Sequence, residues 1–229
     1  MNISGFQKLS LLDYPKTPCA ILFTQGCSFR CAFCHNPELI PMTGAMSIPP
    51  DEVIAKLEAN RKMVDAVTVT GGEPTLQSDL PEFMKELKNR GFKVKLDTNG
   101  VTPAMVKELI DDGAVDYIAM DLKQTWEKYD EVVRVGAPGL VDRARETFDL
   151  IQNSKVDHEF RTTILPHSHT EEDFITMVGY LIPGEKYFIQ ETRFDITLEP
   201  NLPRQKSFNT NELVAKLRAA YPEILIDSR

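Results

Sequence analysis

The chain has 229 residues, of which 42% are hydrophobic, 26% charged and 8% aromatic, ordinary values for a folded protein that exclude a disordered or collagen-like chain. Lysine and arginine number 26 against 34 aspartates and glutamates, and the resulting net charge of −8 argues against general nucleic-acid or anionic-membrane binding. No apolar run reaches the roughly 18 residues of a membrane helix, and the opening residues lack a signal-peptide pattern, so a cytoplasmic protein without membrane contact is expected.

Residues 1–18 form an N-terminal extension, and the β-rich run at 19–24 predicts the first strand. A long loop, 25–49, follows it, and Pro50-Asp51-Glu52 then opens a helix carrying Val53, Ile54 and Leu57. Residues 66–70 read as a strand; Leu80, Phe83, Met84 and Leu87 recur at helical spacing and stop at Gly91. After a strand at 92–97, Thr102-Pro103 caps and opens a helix whose apolar face is Val106, Leu109 and Ile110 and whose stop is Gly113. The strand at 115–120 is followed by the charge-rich residues 127–131, read as a solvated segment, and by a helix marked by Leu140, Ala144, Phe148 and Ile151. A strand at 158–165 leads to the loop Pro166-His167-Ser168-His169, whose histidines are expected at the surface. The acidic turn Glu171-Glu172-Asp173 then introduces a helix with Phe174, Met177, Val178 and Leu181. A strand at 187–190, a helix at 213–221 and a short strand around Ile224-Leu225-Ile226 complete the chain.

This alternation predicts an α/β fold on a parallel sheet, in one domain over 1–229. Six βα units occupy 19–190, and 191–229 add the last helix and short strand. Six units fall short of the roughly 250 residues of a closed eight-stranded barrel, which leaves a partial, open (βα)6 barrel. In such folds ligands bind at the carboxyl ends of the strands. The first of those ends carries Cys27, Cys31 and Cys34 within eight residues, while Cys19 starts an apolar strand and reads as a core cysteine. Three thiolates can hold a soft metal and leave one coordination position for an external ligand. A zinc site would have to recruit His35, and no second Cys or His pair follows at finger spacing. The other ends read Gly71-Gly72-Glu73-Pro74, Asp97-Thr98-Asn99-Gly100 and Asp121-Leu122-Lys123; each alone is also common turn or rim sequence. Glu159 and Arg161, two apart on one strand, share a face, which either lets Arg161 reach into the barrel or makes the two an interior ion pair.

The loop Gln25-Gly26-Cys27-Ser28-Phe29-Arg30-Cys31-Ala32-Phe33-Cys34-His35-Asn36 resembles the cluster loop of radical S-adenosylmethionine enzymes. The three later strand ends are similar to motifs of glycyl-radical-enzyme activases. The opening Gly5-Phe6-Gln7-Lys8-Leu9-Ser10-Leu11-Leu12-Asp13-Tyr14-Pro15 resembles one branch, the activators of anaerobic ribonucleoside-triphosphate reductase. Glu159-Phe160-Arg161-Thr162-Thr163 is a weaker match. The resemblance implies a [4Fe–4S] cluster on Cys27, Cys31 and Cys34, with S-adenosylmethionine chelating its fourth iron. It implies reductive cleavage to a 5′-deoxyadenosyl radical and formation of a glycyl radical on a partner enzyme. It places Phe33 and His35 beside the adenosine, and Gly71, Gly72, Glu73, Asp97, Asn99, Asp121 and Lys123 around the rest of the cofactor. It also suggests a monovalent cation held by Asp97, Thr98 and Asp121, and flavodoxin or ferredoxin as electron donor. No auxiliary cluster is expected, and Phe29 and Arg30 are expected to touch a partner. The rival readings are a radical enzyme acting on a small molecule and a non-catalytic metal-binding module.

Overall fold

The computed structural model describes residues 1–44, 46–134 and 137–229. Its strands are β1 (Ile3–Ser10), β2 (Cys19–Thr24), β3 (Ala66–Gly71), β4 (Lys93–Thr98), β5 (Tyr117–Asp121), β6 (Asp157–Thr163), β7 (Lys186–Gln190) and β8 (Leu225–Ser228). The helices are α1 (Pro50–Ala59), α2 (Leu80–Asn89), α3 (Pro103–Asp111), α4 (Tyr129–Val133), α5 (Leu140–Gln152), α6 (Glu171–Val178) and α7 (Thr210–Ala220). All eight strands form one sheet in the order β1 to β8, each beside its neighbour in sequence. β1 runs antiparallel to β2, and every later pair is parallel. The two edge strands do not pair with each other, so the sheet is open, as expected.

The six expected strands are β2 to β7. The extension supplies an eighth member of the sheet that the sequence reading left out. β1 alternates poorly and changes register against β2 between Ile3 and Gly5 and again between Gln7 and Ser10, which blurs its period. β8, expected as a short terminal strand, extends the parallel sheet beside β7. Among the described residues no helix is long and apolar enough to cross a membrane.

Alternate residues of each strand explain the layering. Ala20, Leu22, Val67, Val69, Val94, Leu96, Ile118, Met120 and Phe160 pack with Val53, Leu57, Met84, Leu87, Val106 and Leu109 of the helices in one buried core. The opposite face carries Lys95, Asp97, Asp121, Glu159 and Arg161, with a small apolar cluster of Tyr14, Cys19, Ile21, Ala66 and Tyr117 at its base. Cys19 is buried there, as expected of a structural thiol. α6 begins with a reciprocal cap in which Thr170 Oγ1 accepts from Asp173 N (3.3 Å) and Asp173 Oδ2 accepts from Thr170 N (2.9 Å). At α3, Thr102 occupies the cap position but its side chain makes no capping bond; Pro103 and the positive φ of Gly113 frame the helix instead.

Candidate functional site

The loop after β2 is held to the sheet by its own backbone. Gly26 N donates to Leu39 O (2.8 Å) and Cys27 N to Ile40 O (3.1 Å), while the buried Gln25 amide donates to Glu38 O and Pro41 O. The loop also touches the end of β3, where Gly72 N donates to Thr24 O and Glu73 N to Gly26 O (2.7 Å). A Cβ on Gly71, at φ +123°, would lie 2.2 Å from Thr24 N, and one on Gly72 would lie 2.2 Å from Gly26 O. Both glycines line the cavity, but the close approach they permit is to the chain's own backbone.

Cys27, Cys31 and Cys34 line one cavity of about 230 Å³ together with Phe33, His35, Gly71, Gly72, Glu73, Asp97, Thr98, Asn99, Asp121, Lys123 and Arg161. Every cluster and cofactor residue expected from the sequence is therefore on one wall or another of this space. Burial disfavours the thiolates, pushing Cys27 up to about 12 and Cys31 to about 11. Among the described residues no three His, Cys, Asp or Glu side chains converge on a point suited to a single metal ion. The three thiols lie around a shared cavity, a disposition that fits a polynuclear cluster better than zinc, and the buried Ser28 hydroxyl beside Cys27 has no protein partner.

The strand ends form a second, densely bonded region. Glu73 is fully buried; its Oε1 accepts from Thr75 N, Thr75 Oγ1 (2.6 Å) and Thr98 Oγ1 (2.7 Å), and its Oε2 from Asn99 N (2.6 Å). Burial raises its pKa against these four donors. Asp97 accepts from Lys95 Nζ (2.6 Å) and Arg161 Nη1 (3.1 Å). Asp121 accepts from Lys123 Nζ (3.0 Å) and from Arg161 Nε (3.0 Å) and Nη2 (2.9 Å). Burial alone would raise Asp121, but Lys123 and Arg161 bring it down to about 2; burial opposes the charge on Lys123, yet Asp121 holds its ammonium protonated. Lys123 Nζ lies 5.6 Å from the centre of the Phe33 ring.

The guanidinium of Arg161 bridges Asp97 and Asp121 and Thr98 Oγ1 donates to Glu73, so the three residues suggested for a monovalent cation already have protein partners. Three expectations change here. Glu159 pairs with Tyr117 Oη (2.9 Å) and Arg229 rather than with Arg161. Phe29 is buried edge-on against Tyr129, which removes it as a docking residue, whereas Arg30 is exposed. His169 is 1% exposed, not a surface residue.

His169 and Tyr129 are the positioning residues that sequence reading missed. His169 Nδ1 accepts from Leu165 N (2.7 Å), which leaves Nε2 to donate to Lys123 O (2.9 Å), and burial lowers its pKa to about 4. Tyr129 Oη accepts from Lys123 N (3.3 Å) and donates to Asp121 O (3.1 Å). The signal for His169 was its place just before the Thr170/Asp173 cap, which tucks that loop under the helix. Tyr129 sat inside a charged run whose average hid it. His35 lies at the cavity mouth, where Nε2 accepts from Arg193 N (3.1 Å).

Comparison with known proteins bears on the family and the fold. The family model described as the radical SAM superfamily matches residues 21–181. A Methanocaldococcus jannaschii protein provisionally named a glycyl-radical enzyme activating enzyme is 34% identical over 192 residues, 82% of this chain and 79% of its own. The pyruvate formate-lyase-activating enzyme of Staphylococcus aureus is 30% identical over 195 residues, 79% of this chain and 75% of its own. In fold, the chain resembles a radical SAM methyltransferase of Sphaerobacter thermophilus (TM-score 0.65, 15% identity, 94% of this chain and 67% of that one). It also resembles SuiB of Streptococcus suis (TM-score 0.68, 14% identity, 91% of this chain), of which it spans about half, 48%.

Proposed function

The chain belongs to the radical SAM superfamily and its glycyl-radical-enzyme activating enzymes, and from that premise we propose that its partner is an anaerobic ribonucleotide reductase. A [4Fe–4S] cluster and S-adenosylmethionine are the cofactors of that family. In the proposed site Cys27, Cys31 and Cys34 would hold the cluster, and three protein thiolates would leave room for S-adenosylmethionine as a further ligand. With both groups bound, the site would supply one-electron chemistry able to take a hydrogen atom from a partner glycine.

The protein's share of the work is to bind, orient and exclude water. Lys123 presents a fixed ammonium suited to the methionine carboxylate, with Asp121 and Arg161 holding it in place. Glu73 Oε2 accepts one bond and keeps capacity for another, from the methionine ammonium. Asp97, Asn99, Phe33, His35, Gly71 and Gly72 line the cavity; in the proposed site Asp97 and Asn99 would face the ribose or methionine end and Phe33 and His35 the adenosine.

The observation that carries this reading is that the cysteine loop and the charged strand ends line one cavity. The choice of reductase is supported by the resemblance of residues 5–15, which span most of β1 and the turn after it, to that branch. Flavodoxin or ferredoxin is the proposed electron donor, and the cytoplasm the proposed site of action. A second reading, pyruvate formate-lyase as partner, is favoured by the names of several relatives. The test is anaerobic: the reconstituted, reduced protein and S-adenosylmethionine are mixed with each purified partner, and a glycyl radical is sought by electron paramagnetic resonance. A signal on the reductase is expected. A signal on the lyase alone selects the second reading, and cleavage without a radical on either protein points to a small-molecule substrate.

A further inference from the structure

We propose that Asn99 tunes the reduction potential of the cluster by donating its side-chain amide to the sulfur of Cys27. The proposal rests on the reading of Cys27 as a cluster ligand and gives Asn99 a task separate from contact with S-adenosylmethionine. Asn99 Nδ2 lies 3.7 Å from Cys27 Sγ, across 72 positions of sequence. The orientation of the amide is decided by its other end. Asn99 Oδ1 accepts from Val101 N (3.1 Å), and a backbone N–H can only donate, so the carbonyl must face Val101 and the amino group the sulfur.

The donor is also held still. Asn99 is buried, and its backbone N–H is bound to Glu73 Oε2 at 2.6 Å. Glu73 is in turn fixed by Thr75 and Thr98, and its own N–H is anchored on Gly26 O, next to Cys27. A closed chain of bonds therefore runs from the cysteine loop through the end of β3 to the turn after β4 and back to the Cys27 sulfur. Phe29 N, 3.4 Å away, is a second donor to the same sulfur, and being backbone it is present whatever the side chain.

A ligating sulfur carries negative charge that grows when the cluster gains an electron, so a donor aimed at it favours the reduced form and raises the potential. Removing Asn99 should therefore make reduction harder. Asn99→Ala is expected to shift the one-electron reduction equilibrium about tenfold toward the oxidised cluster, or about 59 mV. Asn99→Asp keeps an oxygen for Val101 N–H but replaces the donor with a carboxylate; its potential should fall further than that of Asn99→Ala.

The experiment is a mediated redox titration of wild type, Asn99→Ala and Asn99→Asp, each reconstituted anaerobically, normalised to bound iron and read by electron paramagnetic resonance without S-adenosylmethionine. The expected order of potentials is wild type, then Ala, then Asp. Equal potentials at full iron content would overturn the proposal. A reading that does not depend on any variant folding is pulsed resonance on the reduced wild-type protein, with asparagine labelled by ¹⁵N at the side-chain amide alone. A weak nitrogen coupling to the cluster is expected, and its absence would also overturn the proposal. Wild-type protein that binds no cluster would instead refute the assigned function, so the two failures are distinct.

Discussion

The cysteine loop and the strand ends face each other across one cavity, yet they are built on opposite principles. In the strand ends every charge is met: Lys95, Asp97, Arg161, Asp121 and Lys123 form one continuous ion network, and Glu73 accepts four hydrogen bonds. In the loop the backbone is anchored, but burial holds the thiols in their protonated form. The strand ends are preassembled, and in the proposed function the loop would be completed by the cluster it holds. Pre-organised charge suits a cofactor that must be oriented before it reacts, while soft, neutral thiols suit a metal group that deprotonates them on binding.

Perturbing one side at a time should separate the two regions. The largest effect is expected on the loop, where Cys31→Ala should abolish cluster binding and S-adenosylmethionine cleavage together, measured by iron content and methionine release. On the other side, Arg161→Met strands Asp97 and Asp121 without their shared cation and should cost about 3–5 kcal/mol in denaturant unfolding. Lys123→Ala should leave iron content unchanged while weakening S-adenosylmethionine binding about ten- to a hundredfold, as expected for loss of a hydrogen bond between charged groups. Loss of iron in that variant would show that the two regions are not separable.

A pH-dependent effect concerns the support behind Lys123. Burial lowers His169 in the folded chain to about 4, below its unfolded value, so the unfolded state takes up the proton first. The stability held by the neutral ring is complete above about pH 6.5 and is lost as pH falls toward 4, roughly 3 kcal/mol in all. His169→Gln should flatten that acid limb in thermal melts between pH 7 and 4. An unchanged slope would mean that the ring is not held neutral against Lys123 O.

How much of this was legible follows the same division. The three cysteines, the long loop and the strand-end motifs could be read directly, because ligand spacing is local in sequence. The alternation in β4 of Lys93, Lys95 and Asp97 with Val94, Leu96 and Thr98 is a local pattern that matches the sheet's polar face in the structure. What could not be read was pairing across strands. Arg161 lies 64 positions from Asp97 and 40 from Asp121, and nothing local distinguishes a bridge between them from a partner for Glu159, two residues away. His169 and Tyr129 were missed for a related reason, since both act through backbone atoms of the turn at Lys123. The register changes of β1 similarly hid a strand that pairs only through tertiary context.

The central claim is that the cysteine loop carries a cluster with one iron open to S-adenosylmethionine, held by the strand ends opposite. The most direct test is the electron paramagnetic resonance spectrum of the anaerobically reconstituted, reduced protein with and without that cofactor. A cubane signal that changes on its addition is the predicted result. A spectrum unaltered by S-adenosylmethionine, or a protein that holds zinc and takes up no iron, would contradict the account.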